Sequence, residues 1–251
     1  MTFKDRLLGG EQLAGTFLKT PSHVVMEIMA MSGLDFVCID AEHAPWGRAE
    51  MDAALAVARA LGFPVLVRVG AGDPATILNA LDTGATGIVV PHVDSVEKAR
   101  AVAAAARFGR GGRGYAGSSR WAGYATRGMG EVLDQSAFET VVIAQIEEPE
   151  GVEVADGIAA VEGIDGLFAG PADLTVGYGH RSMDNPDLPA ALASVGEAAR
   201  ARGKAYMTWV PDAAKAAEWR RHGFTTFFVS SEHAWMLQGA RAVAEGIHGL
   251  D

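Results

Sequence analysis

The feature that most constrains this chain is a regular alternation of short apolar, β-branched runs with segments of helical periodicity. Runs that read as strands recur near Gly15–Leu18, Asp35–Asp40, Pro64–Val69, Gly87–Pro91, Thr140–Glu147, Ile164–Gly170, Lys204–Trp209 and Thr225–Ser230. Between them, Arg48–Leu61, Asp73–Thr83, Ser95–Arg107, Pro189–Arg202 and Asp212–His222 carry Ala, Leu, Glu and Arg at helical spacing. Pro21-Ser22, Asp73-Pro74, Asp94-Ser95 and Pro211-Asp212 are helix-start signals. Gly33, Gly62, Gly84, Gly203 and Gly223 stand where helices should end. Continuously apolar strands separated by helices imply a parallel sheet with covered faces. Eight such units in 251 residues predict one α/β domain over 1–251, a (β/α)8 TIM barrel.

A doubly wound nucleotide-binding sheet is the rival architecture. Its glycine signature occurs at Gly109-Arg110-Gly111-Gly112-Arg113-Gly114, but after a helical segment and before no helix. The fingerprint needs a strand before it and a helix after it, so the barrel reading stands. Loops at Phe108–Arg127 and Thr175–Leu188 show no convincing secondary structure, and loops of that length are usually functional or interfacial.

Composition narrows the function. The net charge of -10, from 21 Lys and Arg against 31 Asp and Glu, argues against a polyanion-binding face. Cys38 is the only cysteine, which excludes an intramolecular disulfide and a cysteine zinc cluster. No apolar stretch approaches about 18 residues and no leader is evident, so a soluble cytoplasmic protein is expected.

In a barrel the chemistry sits at the carboxyl ends of the strands. There the second strand runs into Asp40-Ala41-Glu42-His43-Ala44-Pro45-Trp46, and the third ends in Arg68. The fifth ends in Gln145-Ile146-Glu147, and the sixth leaves through Gly170-Pro171-Ala172-Asp173-Leu174. Each residue has a plainer role. Arg68 could be a structural ion pair and Asp40 its partner. Glu147, with Glu148 and Glu150, could form an acidic helix start, and Asp173 could be a helix cap. Their convergence on one mouth is what argues for a site.

Glu147 and Asp173 offer hard oxygens suited to Mg²⁺ or Mn²⁺. Arg68 offers fixed donors for an oxyanion, and His43 can exchange protons near neutral pH. That set suits bond-breaking next to a carbonyl. A Schiff-base lysine is the alternative chemistry, but of five lysines only Lys19 lies near the mouth; Lys204 sits at the wrong end, Lys98 and Lys215 in helices, and Lys4 in an N-terminal tail.

At these residues, Asp40-Ala41-Glu42-His43-Ala44-Pro45, Val67-Arg68, Gln145-Ile146-Glu147 and Gly170-Pro171-Ala172-Asp173-Leu174, the chain resembles the HpcH/HpaI family of class II pyruvate aldolases. The resemblance runs from Gly15-Thr16-Phe17 to the eighth strand. It implies a phosphoenolpyruvate/pyruvate-type barrel that reversibly cleaves 4-hydroxy-2-oxo acids, of aromatic or sugar-acid catabolism, through a metal-stabilised enolate. The products would be pyruvate, or an analogue such as hydroxypyruvate, and an aldehyde.

The implied cofactor is Mg²⁺, Mn²⁺ or Co²⁺ on Glu147 and Asp173, with no organic cofactor. Arg68 would bind the enolate oxygen, and His43, paired with Asp82, would serve the 4-hydroxyl. Gln145 would lie beside the metal, and Gly170, Pro171, Ala172 and Asp173 would receive the pyruvate carboxylate. Phe17, where many members carry Trp, His92, and the loop residues Arg113-Gly114 and Ser119-Arg120-Trp121 would line the aldehyde side, with Trp209 shaping it. His233 follows the eighth strand at the mouth as a supporting residue. The amphipathic segment Ala234–Ile247 would cover the barrel or make subunit contacts, since the family forms hexamers. An acyl-CoA lyase and a non-catalytic ligand-binding barrel are the competing functions.

Overall fold

A computed structural model describes residues 1–250. The chain opens with α1 (Phe3–Leu8), β1 (Leu13–Leu18), α2 (His23–Ala30), β2 (Phe36–Asp40), α3 (Arg48–Ala60), β3 (Val65–Arg68) and α4 (Pro74–Thr83). It continues with β4 (Gly87–Val90), α5 (Val96–Ala106), α6 (Met129–Glu139), β5 (Val141–Ile146), α7 (Pro149–Glu153), α8 (Ala155–Ala159) and β6 (Gly166–Ala169). The last part holds α9 (Pro171–Gly177), α10 (Asp187–Ala201), β7 (Ala205–Val210), α11 (Ala213–Trp219), a 3-10 turn (Arg220–His222), β8 (Thr226–Ser231) and α12 (Glu232–His248). The strands pair in chain order and β8 closes on β1 in parallel, completing the (β/α)8 TIM barrel.

Local chemistry explains these boundaries. The side chains of Ser22, Asp73, Ser95 and Asp212 each accept a backbone N–H in the first turn of the following helix. The five helix-ending glycines all have positive φ, from 62° at Gly203 to 113° at Gly84, where a side chain would be strained.

Three parts differ from the sequence reading. Lys4 is not in a tail: Thr2 and Asp5 form a capping box that folds α1, and Lys4 Nζ reaches Asp165 at 2.8 Å. The Thr175–Leu188 loop is shorter, because α9 runs to Gly177 and α10 starts at Asp187. Helix α6, absent from the reading, starts at Gly128 without a side-chain cap and so carries no start signal.

The period of two along each strand sorts the interior. Phe17, Phe36, Cys38, Leu66, Val89, Ile143, Phe168, Met207 and Phe228 pack together in one cluster. Their alternates, including Val37, Ile39, Val65, Val67, Val142 and Ala144, pack in the cluster that contains the helix residues Leu55, Ile77 and Leu192. A column of rings rises through the barrel. Phe3 of α1 meets Phe36 at 5.4 Å, Phe36 meets Phe228 at 5.0 Å, and Phe228 meets Phe168 at 4.8 Å and Phe17 at 5.1 Å. Phe17 then carries the Arg68 guanidinium 4.3 Å above its ring.

Close strand packing makes one glycine sterically necessary. A Cβ at Gly87 would lie 2.3 Å from the Val141 carbonyl oxygen on β5. We expect Gly87→Ala to cost about 3 kcal/mol, lowering Tm by roughly 6–12 °C in a thermal melt. An unchanged Tm would contradict this packing.

Helix α12 is largely exposed rather than packed over the barrel. Only Glu232 in it is buried, while Met236, Leu237, Val243 and Ile247 are 52–68% exposed. No helix among the described residues is long and apolar enough to cross a membrane.

Candidate active site

A cavity of about 410 Å³ opens at the carboxyl end of the barrel, lined by Phe17, Lys19, His43, Arg68, Gln145, Phe168, Gly170, Pro171, Ala172, Asp173 and Trp209, with Ser230, Ser231 and Ala234. The strand period places these groups. On β2, β3 and β5 the inward side is apolar low in the strand and polar at its carboxyl end. Phe36 and Cys38 lead to Asp40 on β2, Leu66 leads to Arg68 on β3, and Ile143 leads to Gln145 and Glu147 after β5.

Asp40 and Arg68 are direct register partners. Arg68 Nε donates to Asp40 Oδ1 at 3.0 Å and Nη2 lies 2.8 Å from Oδ2. Asp40 is fully buried and Arg68 is 6% exposed. Burial alone would raise the Asp40 carboxyl, but the Arg68 bonds outweigh it and hold the pKa below the ordinary aspartate value. Burial likewise opposes the Arg68 charge, and Asp40 more than restores it. Lys19 Nζ adds a third contact at 3.2 Å from Asp40 Oδ2. The result is a guanidinium fixed in orientation across the cavity floor, with one edge committed to Asp40.

His43 donates its backbone N–H to Asp40 Oδ1 at 3.1 Å, and its ring is 58% exposed at the mouth. The expected pairing of His43 with Asp82 does not form. Asp82 lies on α4, outside the strand barrel, and its Oδ1 accepts from the fully buried Arg113 side chain. The acid nearest the His43 ring is Glu42, whose Oε2 lies 3.7 Å from His43 Nε2 and 3.3 Å from Arg68 Nε. Arg113, Arg120 and Trp121 also lie outside the cavity lining. Arg120 pairs with Asp52 of α3 at 2.7 Å, and the Trp121 N–H donates to the Asp82 carbonyl of α4 at 3.3 Å.

The carboxylates of Glu147 and Asp173 approach each other across Gly170. Glu147 is 4% exposed, and its Oε2 accepts from the Gln145 amide. A Cβ on Gly170 would lie 3.3 Å from Glu147 Oε2 and 3.7 Å from Asp173 Oδ2, so the missing side chain leaves a gap between the two carboxylates. Gln145 Oε1 is buried beside them without a hydrogen-bond partner. Burial, with Asp173 adding to it, pushes the Glu147 carboxyl above its ordinary value despite the Gln145 and His92 bonds. Two converging carboxylates, an orphaned amide oxygen and open space between them fit a hard divalent cation.

His92 sits against the other oxygen of Glu147 rather than on the aldehyde side. Its backbone N–H donates to Glu147 Oε1 at 2.7 Å, and its Nδ1 lies 2.5 Å from Glu148 Oε1 and 3.1 Å from Glu147 Oε1. The Glu148 bond raises the His92 pKa. Nε2 is 3.6 Å from Glu42 Oε1, so Glu42, His92 and Glu147 form a second cluster of ligand type. Sequence reasoning assigned Glu42 no role and put His92 on the aldehyde side rather than against Glu147. Glu42 could have been found, because it follows Asp40 at the strand period; His92 has a left-handed φ of 56°, which no periodicity announces. Trp209 shapes the remaining wall, with its Nε1 donating to the Ser230 carbonyl at 3.2 Å. His233 supports the rim through Thr20, at 3.0 Å from its hydroxyl.

Known proteins share the sequence and fold of this chain. The HpcH/HpaI aldolase/citrate lyase family model matches residues 13–237. The chain is 34% identical to a hydroxypyruvate/pyruvate aldolase of Pseudomonas aeruginosa, over 98% of this chain and 92% of that protein. Its fold superposes with a TM-score of 0.92 on an HpcH/HpaI aldolase/citrate lyase family protein from Burkholderia cenocepacia, at 33% identity over 98% of each chain. The citrate synthase SbnG superposes with a TM-score of 0.88, at 27% identity over 98% of this chain and 97% of that one. With the barrel fold and nine-tenths of its length matched, the chain belongs to the HpcH/HpaI aldolase/citrate lyase family and is an aldolase, a carbon–carbon lyase.

Proposed function

We propose that this aldolase is divalent-metal-dependent and reversibly cleaves 4-hydroxy-2-oxo acids to pyruvate, or hydroxypyruvate, and an aldehyde. The observation that carries the reading is that Arg68, held by buried Asp40, lines one cavity with Gln145 and Asp173, while the Glu147 carboxylate approaches Asp173 across Gly170. Glu147 and Asp173 would hold Mg²⁺, Mn²⁺ or Co²⁺. The bound cation would draw electron density from the 2-oxo group and lower the cost of charge on its oxygen.

The chain's own residues supply the rest. The first-turn N–H groups of Ala172 and Asp173 in α9 lack intrahelical acceptors and receive the substrate carboxylate, with Gly170 and Pro171 shaping the turn. In cleavage, His43 takes the 4-hydroxyl proton, the C3–C4 electron pair moves toward the 2-oxo oxygen, and a carbonyl forms at C4. Arg68 donates to the oxygen on which negative charge collects. Reprotonation at C3 releases pyruvate. Glu42, beside both His43 and Arg68, takes the orienting role expected of Asp82. The exposed apolar residues of α12 support assembly as a homo-oligomer, with the hexamer as the proposed state.

A direct test supplies 4-hydroxy-2-oxopentanoate with Mn²⁺ and couples released pyruvate to lactate dehydrogenase. NADH consumption that chelator stops is the expected result. No pyruvate from this or a 2-oxo-3-deoxy sugar acid, with any of the three metals, would contradict the reading.

A further inference from the structure

We infer that Lys19 binds the anionic end of the aldehyde, so that the site selects aldehydes carrying a carboxylate or a phosphate. This rests on the aldolase reading above and adds the class of electrophile. Lys19 follows β1 directly, two residues beyond Phe17, and continues the inward side of that strand into the cavity. Its position is built. Glu232, the first residue of α12 and 1% exposed, accepts the backbone N–H of Lys19 at 2.9 and 3.0 Å and that of Thr20 at 2.5 Å. His233 holds the Thr20 hydroxyl at 3.0 Å. A buried carboxylate spent on two backbone N–H groups fixes the start of the Lys19 side chain.

The ammonium is placed to serve a ligand. Its side chain is 30% exposed, and its one side-chain ion pair is to Asp40 Oδ2 at 3.2 Å. Arg68 already contacts both oxygens of that carboxylate. An ammonium has three N–H donors, so donors remain after Asp40 is served.

The cavity is polarised around it. Glu147 and Asp173 stand on the β5–β6 side, where the 2-oxo acid would sit. Lys19 stands on the β8–β1 side, with Ser230, Ser231 and the Trp209 ring beside it on the cavity wall. A second substrate attacked from the first one's open face would lie toward that wall. A carboxylate or phosphate there meets a cation and hydroxyl groups, while on the opposite side it would meet two carboxylates. The volume of about 410 Å³ limits the pair to small molecules.

The experiment measures kcat/KM for addition of pyruvate to matched aldehydes: 4-oxobutanoate against butanal, and D-glyceraldehyde 3-phosphate against D-glyceraldehyde. The wild type should prefer at least one anionic member by about 10- to 100-fold, as expected for a charge-assisted contact. The pair that shows the preference tells carboxylate from phosphate. Lys19→Gln should bring that ratio close to one, and Lys19→Arg should keep most of it. A ratio unchanged in Lys19→Gln, or absent in the wild type, would overturn the inference.

Exchange of pyruvate methyl protons without aldehyde separates the two readings. If wild type exchanges and the ratio ignores Lys19, only this inference fails. If wild type neither exchanges nor condenses, the aldolase reading fails, and calorimetric titration with succinate and with inorganic phosphate still tests Lys19. Binding lost in Lys19→Gln would support its role; equal binding, or none in the wild type, would overturn it.

Discussion

Arg68→Ala is expected to lower pyruvate proton exchange by about 10³-fold and to destabilise the protein by roughly 3–5 kcal/mol. Both effects come from one contact. Removing the guanidinium takes away the donor aimed at the developing oxyanion and leaves the fully buried Asp40 carboxylate with Lys19 as its one cationic neighbour, at 3.2 Å. The double variant Arg68→Met with Asp40→Asn separates the two, because it removes the stranded charge without restoring the donor. It should recover much of the lost stability and none of the exchange.

The pH dependence has a definite sign. The folded Asp40 pKa is depressed, so its stabilisation is fully present above the unfolded value of about 3.9 and is lost as pH falls through the folded value. Arg68→Ala removes the main cause of that depression and should move acid unfolding, followed by circular dichroism, to higher pH. A variant that exchanges pyruvate protons at the wild-type rate would remove Arg68 from the mechanism.

Glu147→Gln is expected to abolish two metal-dependent properties together. In the wild type a divalent cation at about 100 times its Kd should add about 2.7 kcal/mol, raising Tm by roughly 5–11 °C. Glu147→Gln and Asp173→Asn should show little of that shift and should lose exchange. With chelator present the order reverses for Glu147. Its folded pKa is raised by burial, so the ionised carboxylate costs stability as pH climbs above the unfolded glutamate value of about 4.3. Glu147→Gln should therefore melt at least as high as the wild type at pH 7, an advantage that fades below about pH 4. A metal-induced Tm shift of full size in both variants would place the cation elsewhere. The Glu42, His92 and Glu147 cluster is the next location to test, through Glu42→Gln and His92→Ala.

The barrel was legible because its signals are local. Capping residues such as Ser22 and Asp73, glycines such as Gly84 and the apolar strand runs each act within a few residues. The strand-end positions of Arg68, Gln145 and Glu147 follow from the same periodicity, which is why those residues were found. What failed depends on distant partners. The resemblance implied Asp82 as the partner of His43, but its Oδ1 accepts from Arg113, 31 residues further along the chain. His92 reaches Glu147 across 55 residues through a left-handed backbone that its sequence neighbours do not reveal. Glu42 follows Asp40 at the strand period, but its contact with the guanidinium appears only once β2 and β3 align Asp40 with Arg68. Helix α1 escaped notice because a six-residue helix offers too little periodicity, although its Thr2–Asp5 capping box was visible.

The most direct test of the central claim follows the pyruvate methyl protons by NMR in D₂O, without any aldehyde. Samples carry the protein alone, with chelator, and with chelator followed by excess Mg²⁺, Mn²⁺ or Co²⁺. The account predicts exchange that chelator stops and at least one metal restores. Exchange that persists unchanged in chelator, or none with any metal, would contradict a divalent-metal-dependent pyruvate aldolase.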